Sequence, residues 1–455
     1  MIPVSLKKIA NITNGYLYGK NIIINNISSN SKEIKSKTLF ITLKGKKFDG
    51  YIFIQEAIKN GCTAIITDRK IKFCVSYIIV EDTLIALRKI SFWLRKKINP
   101  KILAITGSCG KTSVKEMTVS IIKKYYDNTI YTINNFNNHI GVPITLLKLK
   151  KADKYGVIEL GSNKPGEIKY NSKIVEPNIV LINNIYHSHL EGFKSLLGVS
   201  KEKSEILSYL KKNSIIIINL DSHHLSQWIK KIQNKKILYF SIEKKKESNF
   251  FATNIKLSAH QTSFTMHTPN GKIDILLPFL GYQNISNALA ASALSYSINI
   301  PLKKIQLGLL KTPVIPGRLE PIKLNKNIIL INDTYNSNVA SMIIAIKILE
   351  KMPGYKILII GDMAELGEKS VMYHKIIGNI INFSKINYIF TLGKNSYEIF
   401  KICKNGEHYL EKYKLKKKLK KIILKQKINT ILVKGSRNMK METIIQYLIK
   451  EYKKK

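Results

Sequence analysis

Residues 101–113, Lys-Ile-Leu-Ala-Ile-Thr-Gly-Ser-Cys-Gly-Lys-Thr-Ser, constrain this chain more than any other stretch. An apolar run breaks into a glycine-containing loop that ends in Lys-Thr, and an amphipathic helix is expected from Ser113. Gly107 and Gly110 let the backbone turn and present its N–H groups, the helix aims its positive end at an anion, and Lys111 adds a mobile cation. Thr112 supplies a hydroxyl of the kind that holds Mg²⁺ in nucleotide sites. The stretch therefore predicts a phosphate cradle between a buried parallel strand and a helix. The eight-residue P-loop pattern is incomplete, because Ile105 stands where its first glycine would be, so the loop is shortened. A chance glycine turn is the plainer reading, and the order strand, loop, amphipathic helix argues against it.

Composition limits what surrounds that loop. A chain of 455 residues has room for two to four domains. The net charge of +45 admits two readings: attraction to nucleic acid or a membrane surface, or a lysine-rich composition of the kind an A/T-biased genome produces. Only five of 75 basic residues are arginine (Arg69, Arg88, Arg95, Arg318, Arg437), and lysines are spread over every segment. A selected nucleic-acid reader would be expected to use arginine forks, so the second reading is favoured and no nucleic-acid partner is expected. Four cysteines without C-x-x-C spacing point to a reducing compartment. The first residues lack an apolar leader core, and no apolar run reaches a membrane-spanning length, so a cytoplasmic protein is expected.

Hydrophobic periodicity divides the chain into three α/β domains: a small N-terminal α/β domain (1–98), a central P-loop domain with a doubly wound, mostly parallel sheet (99–313), and a C-terminal Rossmann-like α/β domain (314–455). In the first, strands 38–43 and 64–67 flank a helical stretch at 54–59. In the second, strands are expected at 101–106, 157–160, 179–182, 215–219 and 237–240, then a hairpin around Pro269-Asn-Gly271 and an alanine-rich helix 284–297. In the third, strands 328–331, 356–360, 388–392 and 430–433 alternate with helices, and the lysine-rich stretch 412–427 reads as a solvated helix face.

Polar residues just past buried strand ends are the natural site candidates in such sheets. Glu159 ends one strand and is either a Mg²⁺ ligand or a helix cap. His187 and His189 follow another strand and alternate like a metal pair, although strand-end histidines are also common as hydrogen-bonded structural groups. Asp333, Asp362 and the Lys434–Arg437 run end three strands of the last region and suggest one shared cleft, while Arg318 sits at a hinge where a cation could clamp a phosphate.

These stretches together resemble the Mur ligases of peptidoglycan synthesis, nearly end to end and in family order. The resemblance rests on Phe48-Asp-Gly50, Gly107–Ser113 with Val114-Lys-Glu116, Asn137-Asn-His-Ile-Gly-Val-Pro143, Glu159-Leu-Gly161 with Gly166-Glu-Ile168, and His189-Leu-Glu-Gly-Phe193. It continues through Asn287-Ala-Leu-Ala290, Gly317-Arg318, Asp333-Thr-Tyr-Asn336, Gly361-Asp-Met363 and Lys434-Gly-Ser-Arg437. It implies an enzyme, an ATP- and Mg²⁺-dependent amide ligase of cell-wall biogenesis, monomeric and bearing on cell shape and division. The Asp333–Asn336 loop is similar to that of the branch that joins D-alanyl-D-alanine to UDP-N-acetylmuramoyl-tripeptide through an acyl phosphate.

The resemblance also implies roles. The first domain would hold the UDP part of the substrate through Ser31, Lys44, Phe48, Asp49 and Gly50. ATP would lie on Gly107, Ser108, Cys109, Gly110, Lys111, Thr112, Ser113, Asn287, Arg318 and Asp333. Thr112, Glu159 and His189 would serve the metal, with Lys111, Glu159, His189 and Lys203 as the catalytic set. Tyr335, Asn336, Lys434 and Arg437 would hold the dipeptide or close the site. Lys203, or its rival Lys201, falls where relatives carry a carbamylated lysine. Three departures stand out: Asn30 and Lys32 replace a carboxylate and an arginine, Tyr51 replaces a histidine, and His139 replaces an acidic residue. The first two bear on uridine recognition and leave the phosphate chemistry alone. A third-residue-adding Mur ligase would be expected to carry Asp-Asn-Pro-Arg, which is missing. From another class, a nucleic-acid-stimulated P-loop ATPase remains the alternative.

Overall fold

The computed structural model describes residues 1–45, 49–223, 228, 232, 235–259, 261–424 and 429–452. The phosphate loop leaves a six-stranded, all-parallel sheet whose order across the sheet is Lys236–Phe240, Ile215–Asn219, Ile179–Ile182, Lys101–Thr106, Tyr155–Glu159, Thr129–Tyr131. The chain enters at the middle, runs out to one edge and back, then crosses to the other side. That reversal beside Lys101–Thr106 is the crevice where open α/β sheets take ligands.

Both faces of this sheet are covered, so its strands are apolar along their middles rather than alternately polar, with polar residues at several of their ends. Ile102, Ala104, Ile158, Val180 and Ile182 pack into one buried cluster, whereas Leu103, Ile105, Val157, Ile179 and Leu181 pack into another. This is the two-residue period of a strand sorting side chains to opposite faces. The first cluster is continuous with the N-terminal core (Leu6, Ile9, Leu39) and with Ile331, Leu358 and Leu432 of the C-terminal sheet.

The N-terminal sheet orders Tyr16–Tyr18, Ser76–Ile79, Ala64–Thr67, Thr38–Ile41, Asn26–Ser28, with only the first pair antiparallel. Its last helix, Thr83–Ile98, is fastened to the central helix Glu167–Val175 by arginines. Arg95, 1% exposed, donates to the carbonyls of Val175 and Glu176 at 2.9 and 3.2 Å. Arg88 donates to Tyr170 O and lies 3.2 Å over its ring. A guanidinium presents its donors in a rigid planar fork, so it can hold adjacent carbonyls in a fixed geometry.

The C-terminal sheet orders Glu320–Lys323, Ile328–Asp333, Asn429–Lys434, Tyr355–Gly361, Tyr388–Leu392, Gly406–Tyr409, and only the edge strand Glu320–Lys323 is antiparallel. A separate three-stranded antiparallel sheet, Phe251–Leu257, Thr262–Thr268 and Gly271–Leu277, turns at the expected Pro269-Asn-Gly271.

Several boundaries differ from the sequence reading for identifiable reasons. The helix after the phosphate loop is Lys111–Ile122 and begins two residues before Ser113. Gly110, at φ 78°, turns the chain straight into it, so Lys111 and Thr112 occupy the first turn. The strand expected to stop at Ile331 runs to Asp333, because pairing with Asn429–Lys434 continues to the Asp333–Lys434 register. Helix Lys412–Leu424 turns its lysines outward but buries Leu415, Leu419 and Ile423, so it also covers a core face. No described helix is long and apolar enough to cross a membrane.

Candidate active site

The central and C-terminal sheets face each other across a cavity of about 430 Å³. Its central-domain wall is the phosphate loop, Ser108 to Ser113, with Glu159, His189 and Asn287; its C-terminal wall includes Arg318, Asp333, Tyr335, Asn336, Lys434 and Arg437. Strand ends of both sheets converge here because each carries its loops at the carboxyl edge.

The loop is braced from the neighbouring strand. Asn184 Oδ1 accepts from Cys109 N at 2.8 Å, and the amides of Asn183 and Asn184 donate to Cys109 O at 2.9 and 3.1 Å. Asn183 also donates to Asn287 Oδ1 at 3.2 Å. A Cβ on Gly110 would lie 2.4 Å from that same oxygen, so this position needs glycine for space as well as for its φ. Lys111 Nζ donates to Gly107 O at 2.6 Å, and desolvation holds its pKa below the ordinary lysine value against the pull of Glu159.

Glu159 is 1% exposed. Its two oxygens are held by neutral donors: Asn137 Nδ2 at 2.7 Å, and the Thr112 hydroxyl at 3.0 Å. A buried carboxylate with neutral donors is poised to take a cation. Among the described residues no three His, Cys, Asp or Glu side chains converge on a metal position. The oxygen donors Glu159 and Thr112 match the chemistry of Mg²⁺, which is usually bound by one or two carboxylates together with phosphate oxygens and water.

From the other domain, Arg318 Nη2 donates to Thr112 Oγ1 at 3.0 Å, and its guanidinium lies 4.1 Å from the Tyr335 ring centroid. Arg318 Nε is buried with no partner among the described residues, a spare donor at the cavity wall. Lys434, 2% exposed, donates to Asp333 Oδ2 at 2.6 Å and to Asn336 O at 2.9 Å, and Asp333 Oδ1 accepts from Leu319 N. This buried pair welds two strand ends to the hinge segment. His189 Nδ1 meets Glu365 Oε2 at 2.5 Å, and that ring holds the Glu365 carboxyl below its usual range against the opposing effect of burial.

Some expected residues lie elsewhere. Asp362 does not line the cavity; its carboxylate accepts from Ser396 N at 2.7 Å and its carbonyl from Ser436 N at 3.0 Å, so it ties three loops together. Glu365, three residues on, is the cavity residue of that loop, and the sequence reading passed over it. His187 is outside the lining and its ring sits 5.8 Å from Tyr373, so the two histidines are not a metal pair. Gly107 is also outside the lining and serves as the acceptor for Lys111.

Lys203 is fully buried behind the cavity-lining Ser162, to whose hydroxyl it donates at 2.8 Å, while Lys201 is exposed. Burial, with Lys111 adding repulsion, brings the Lys203 amine down to about 7. The expected UDP-binding residues stand apart from the cavity. Ser31 donates to Glu56 Oε2 at 2.5 Å, Asp49 caps the turn Gly50–Phe53 and pairs with Arg69 at 2.9 Å, and Lys44 bridges to Asp49. Phe48 lies outside the described residues. Asn137 stands in a motif without a role and Asn183 and Asn184 are passed over by the sequence reading; their signal is position, polar residues beside strand ends that already carry candidates.

Three family models match the chain: the Mur ligase family catalytic domain at residues 23–89, the Mur ligase middle domain at 105–295, and the Mur ligase glutamate ligase domain at 317–437. The UDP-N-acetylmuramoyl-tripeptide–D-alanyl-D-alanine ligase of Buchnera aphidicola subsp. Acyrthosiphon pisum is 65% identical over 455 residues, all of both chains. The crystal structure of MurF from Acinetobacter baumannii superposes with a TM-score of 0.93 at 31% identity, covering 99% of both chains. The MurF ligase of Thermotoga maritima in complex with ADP superposes with a TM-score of 0.82 at 25% identity, covering 94% of this chain and 98% of that one.

Proposed function

The chain belongs to the Mur ligase family, and from that premise we propose that it joins D-alanyl-D-alanine to UDP-N-acetylmuramoyl-tripeptide with cleavage of ATP to ADP and phosphate. One observation carries this reading: a phosphate loop and a buried carboxylate on one sheet face Arg318, Asp333 and Lys434 on another across a single cavity.

The chemistry follows from a carboxylate being a poor electrophile. Its oxygen attacks the γ-phosphorus of ATP, the bond to the bridging oxygen breaks, and ADP leaves. The dipeptide amine then attacks the acyl carbon, loses a proton, and phosphate departs with the former carboxylate oxygen. Lys111 and the loop N–H groups hold the phosphates, and Arg318 brings a second cation when the domains meet. Thr112, Glu159 and His189 would hold Mg²⁺, which neutralises charge on the transferred phosphoryl group. Closure by Tyr335, Asn336, Lys434 and Arg437 keeps water from the intermediate and places the dipeptide. The UDP moiety is assigned to Ser31, Lys44, Asp49 and Gly50 of the first domain, and Asn287 and Asp333 to the nucleoside side of ATP. We propose a monomer as the catalytic unit, working in the cytoplasm.

Lys203 rather than Lys201 is our choice for the carbamylated lysine. A free-base amine is needed to attack CO₂, and an amine held at about 7 supplies it at neutral pH. In ¹³C-bicarbonate, wild type and Lys201→Ala should show a carbamate carbon signal that Lys203→Ala lacks; the reverse pattern overturns the choice.

The activity itself is tested by mass spectrometry of the product. UDP-N-acetylmuramoyl-pentapeptide should form only when ATP, tripeptide substrate and dipeptide are all present. Lys111→Ala and Glu159→Ala should abolish it while UDP-substrate binding stays within about twofold, since each removes an interaction made only at the phosphates. Loss of UDP-substrate binding in a folded Lys111→Ala protein would contradict the domain roles.

A further inference from the structure

We infer that Glu365 is a positioning residue for His189, so that the histidine is set for its work only when the C-terminal domain is docked. This rests on the reading of His189 as a metal-side residue. The two side chains belong to different domains: His189 follows the central strand Ile179–Ile182, and Glu365 lies in the loop after the C-terminal strand Tyr355–Gly361. They meet at 2.5 Å, and alongside them Glu191 N donates to Glu365 O at 3.2 Å, making a two-point bridge.

Both partners hold the left-handed backbone conformation that residues with a Cβ avoid, His189 at φ 51° and Glu365 at φ 62°. Such conformations persist where the surroundings over-determine them and cluster at functional contacts. The Glu365 loop is over-determined: buried His374 accepts from Met363 N at 3.1 Å, and Asp362 accepts from Ser396 N at 2.7 Å. The pair is not there for stability, because the carboxylate side chain is 45% exposed and the imidazole 20%, where an ion pair contributes little. The approach is also off the ideal hydrogen-bond line, as His189 Nδ1 has no partner of full hydrogen-bond geometry. Contacts of this kind align when the site is loaded. A carboxylate on one imidazole nitrogen fixes the tautomer and directs the other nitrogen at a cation, and here that carboxylate arrives from the closing domain. The device makes a complete metal site conditional on closure.

The test uses the full-length protein with ADP and Mn²⁺ as the probe, counting bound Mn²⁺ by electron paramagnetic resonance. Glu365→Ala should weaken Mn²⁺ binding roughly tenfold and lower kcat by a similar factor, with the KM for the UDP-tripeptide unchanged. Glu365→Gln, which keeps an acceptor oxygen, should recover part of both. In a His189→Ala background, Glu365→Ala should cost nothing further. Wild-type Mn²⁺ affinity and kcat in a folded Glu365→Ala protein would overturn the inference, and so would an undiminished loss in the His189→Ala background, which would make Glu365 a ligand in its own right. If His189→Ala alone binds Mn²⁺ like wild type, the metal-side reading of His189 fails instead.

Discussion

Glu159 shows how a site residue can be legible while its support is not. A carboxylate at a strand end beside a phosphate loop stands out in the sequence, but Asn137, which grips its Oε1 at 2.7 Å, comes from a loop 22 residues earlier. Only the parallel pairing of Tyr155–Glu159 with Thr129–Tyr131 brings that loop alongside. Asn137→Ala should lower kcat about tenfold with the UDP-substrate KM unchanged, since a hydrogen bond to a charged group is worth about 1.5–3 kcal/mol. Steady-state kinetics check the split. Lys203 is the counterpart on the basic side. Its pKa falls from the ordinary lysine value to about 7 on folding, so between those limits the unfolded chain binds the extra proton and stability rises with pH. Lys203→Met should lose that slope, up to about 1.4 kcal/mol per pH unit, and be relatively more stable below pH 7 than wild type. Denaturant melts of the CO₂-depleted protein from pH 6 to 9 measure it. A parallel pH response in the two proteins would contradict it.

Among the elements, the strands were the most legible part, because in a sheet covered on both faces the strands are mostly apolar and the run length marks them. Ile179–Ile182 and Tyr388–Leu392 read to the residue. Edge strands did not: Tyr16–Tyr18 and Gly406–Tyr409 are short and mixed in polarity, and only their pairing makes them strands. Asp362 was misplaced for a related reason. Three polar residues at neighbouring strand ends do look alike in sequence, but Asp362 turns toward Ser396 and Gly393, where the backbone offers it a donor. The element with the sharpest requirement is the phosphate loop. Gly110→Ala must hold a side chain at φ 78° and place its Cβ 2.4 Å from Asn287 Oδ1. The backbone alone costs about 1–2 kcal/mol, and shifting Asn287 also loosens the Asn183 brace. Calorimetric titration with ADP should show affinity reduced at least tenfold; wild-type affinity would mean the loop does not hold the nucleotide.

At the scale of the molecule, four of the five arginines turn out to be structural joints. Arg88 and Arg95 fasten the first domain to the second, Arg69 pairs with Asp49 and Asp68 beside the assigned UDP site, and Arg318 reaches from the third domain to Thr112. Most lysines carry the remaining charge at the surface, while Lys111, Lys203 and Lys434 are held in specific contacts. The α/β class was legible from the alternation of strands and helices, but the juxtaposition of Glu365 with His189 was not, since nothing in either loop announces a partner 176 residues away. The same picture predicts that DNA or RNA leaves ATP turnover unchanged, a control that phosphate-release assays supply directly; stimulation would favour the nucleic-acid alternative.

The central claim is that the phosphate held by the loop is handed to a substrate carboxylate. Tripeptide substrate labelled with ¹⁸O in its terminal carboxylate should yield inorganic phosphate carrying one ¹⁸O per amide bond formed, read by mass spectrometry. Phosphate released without label while the amide forms would contradict it.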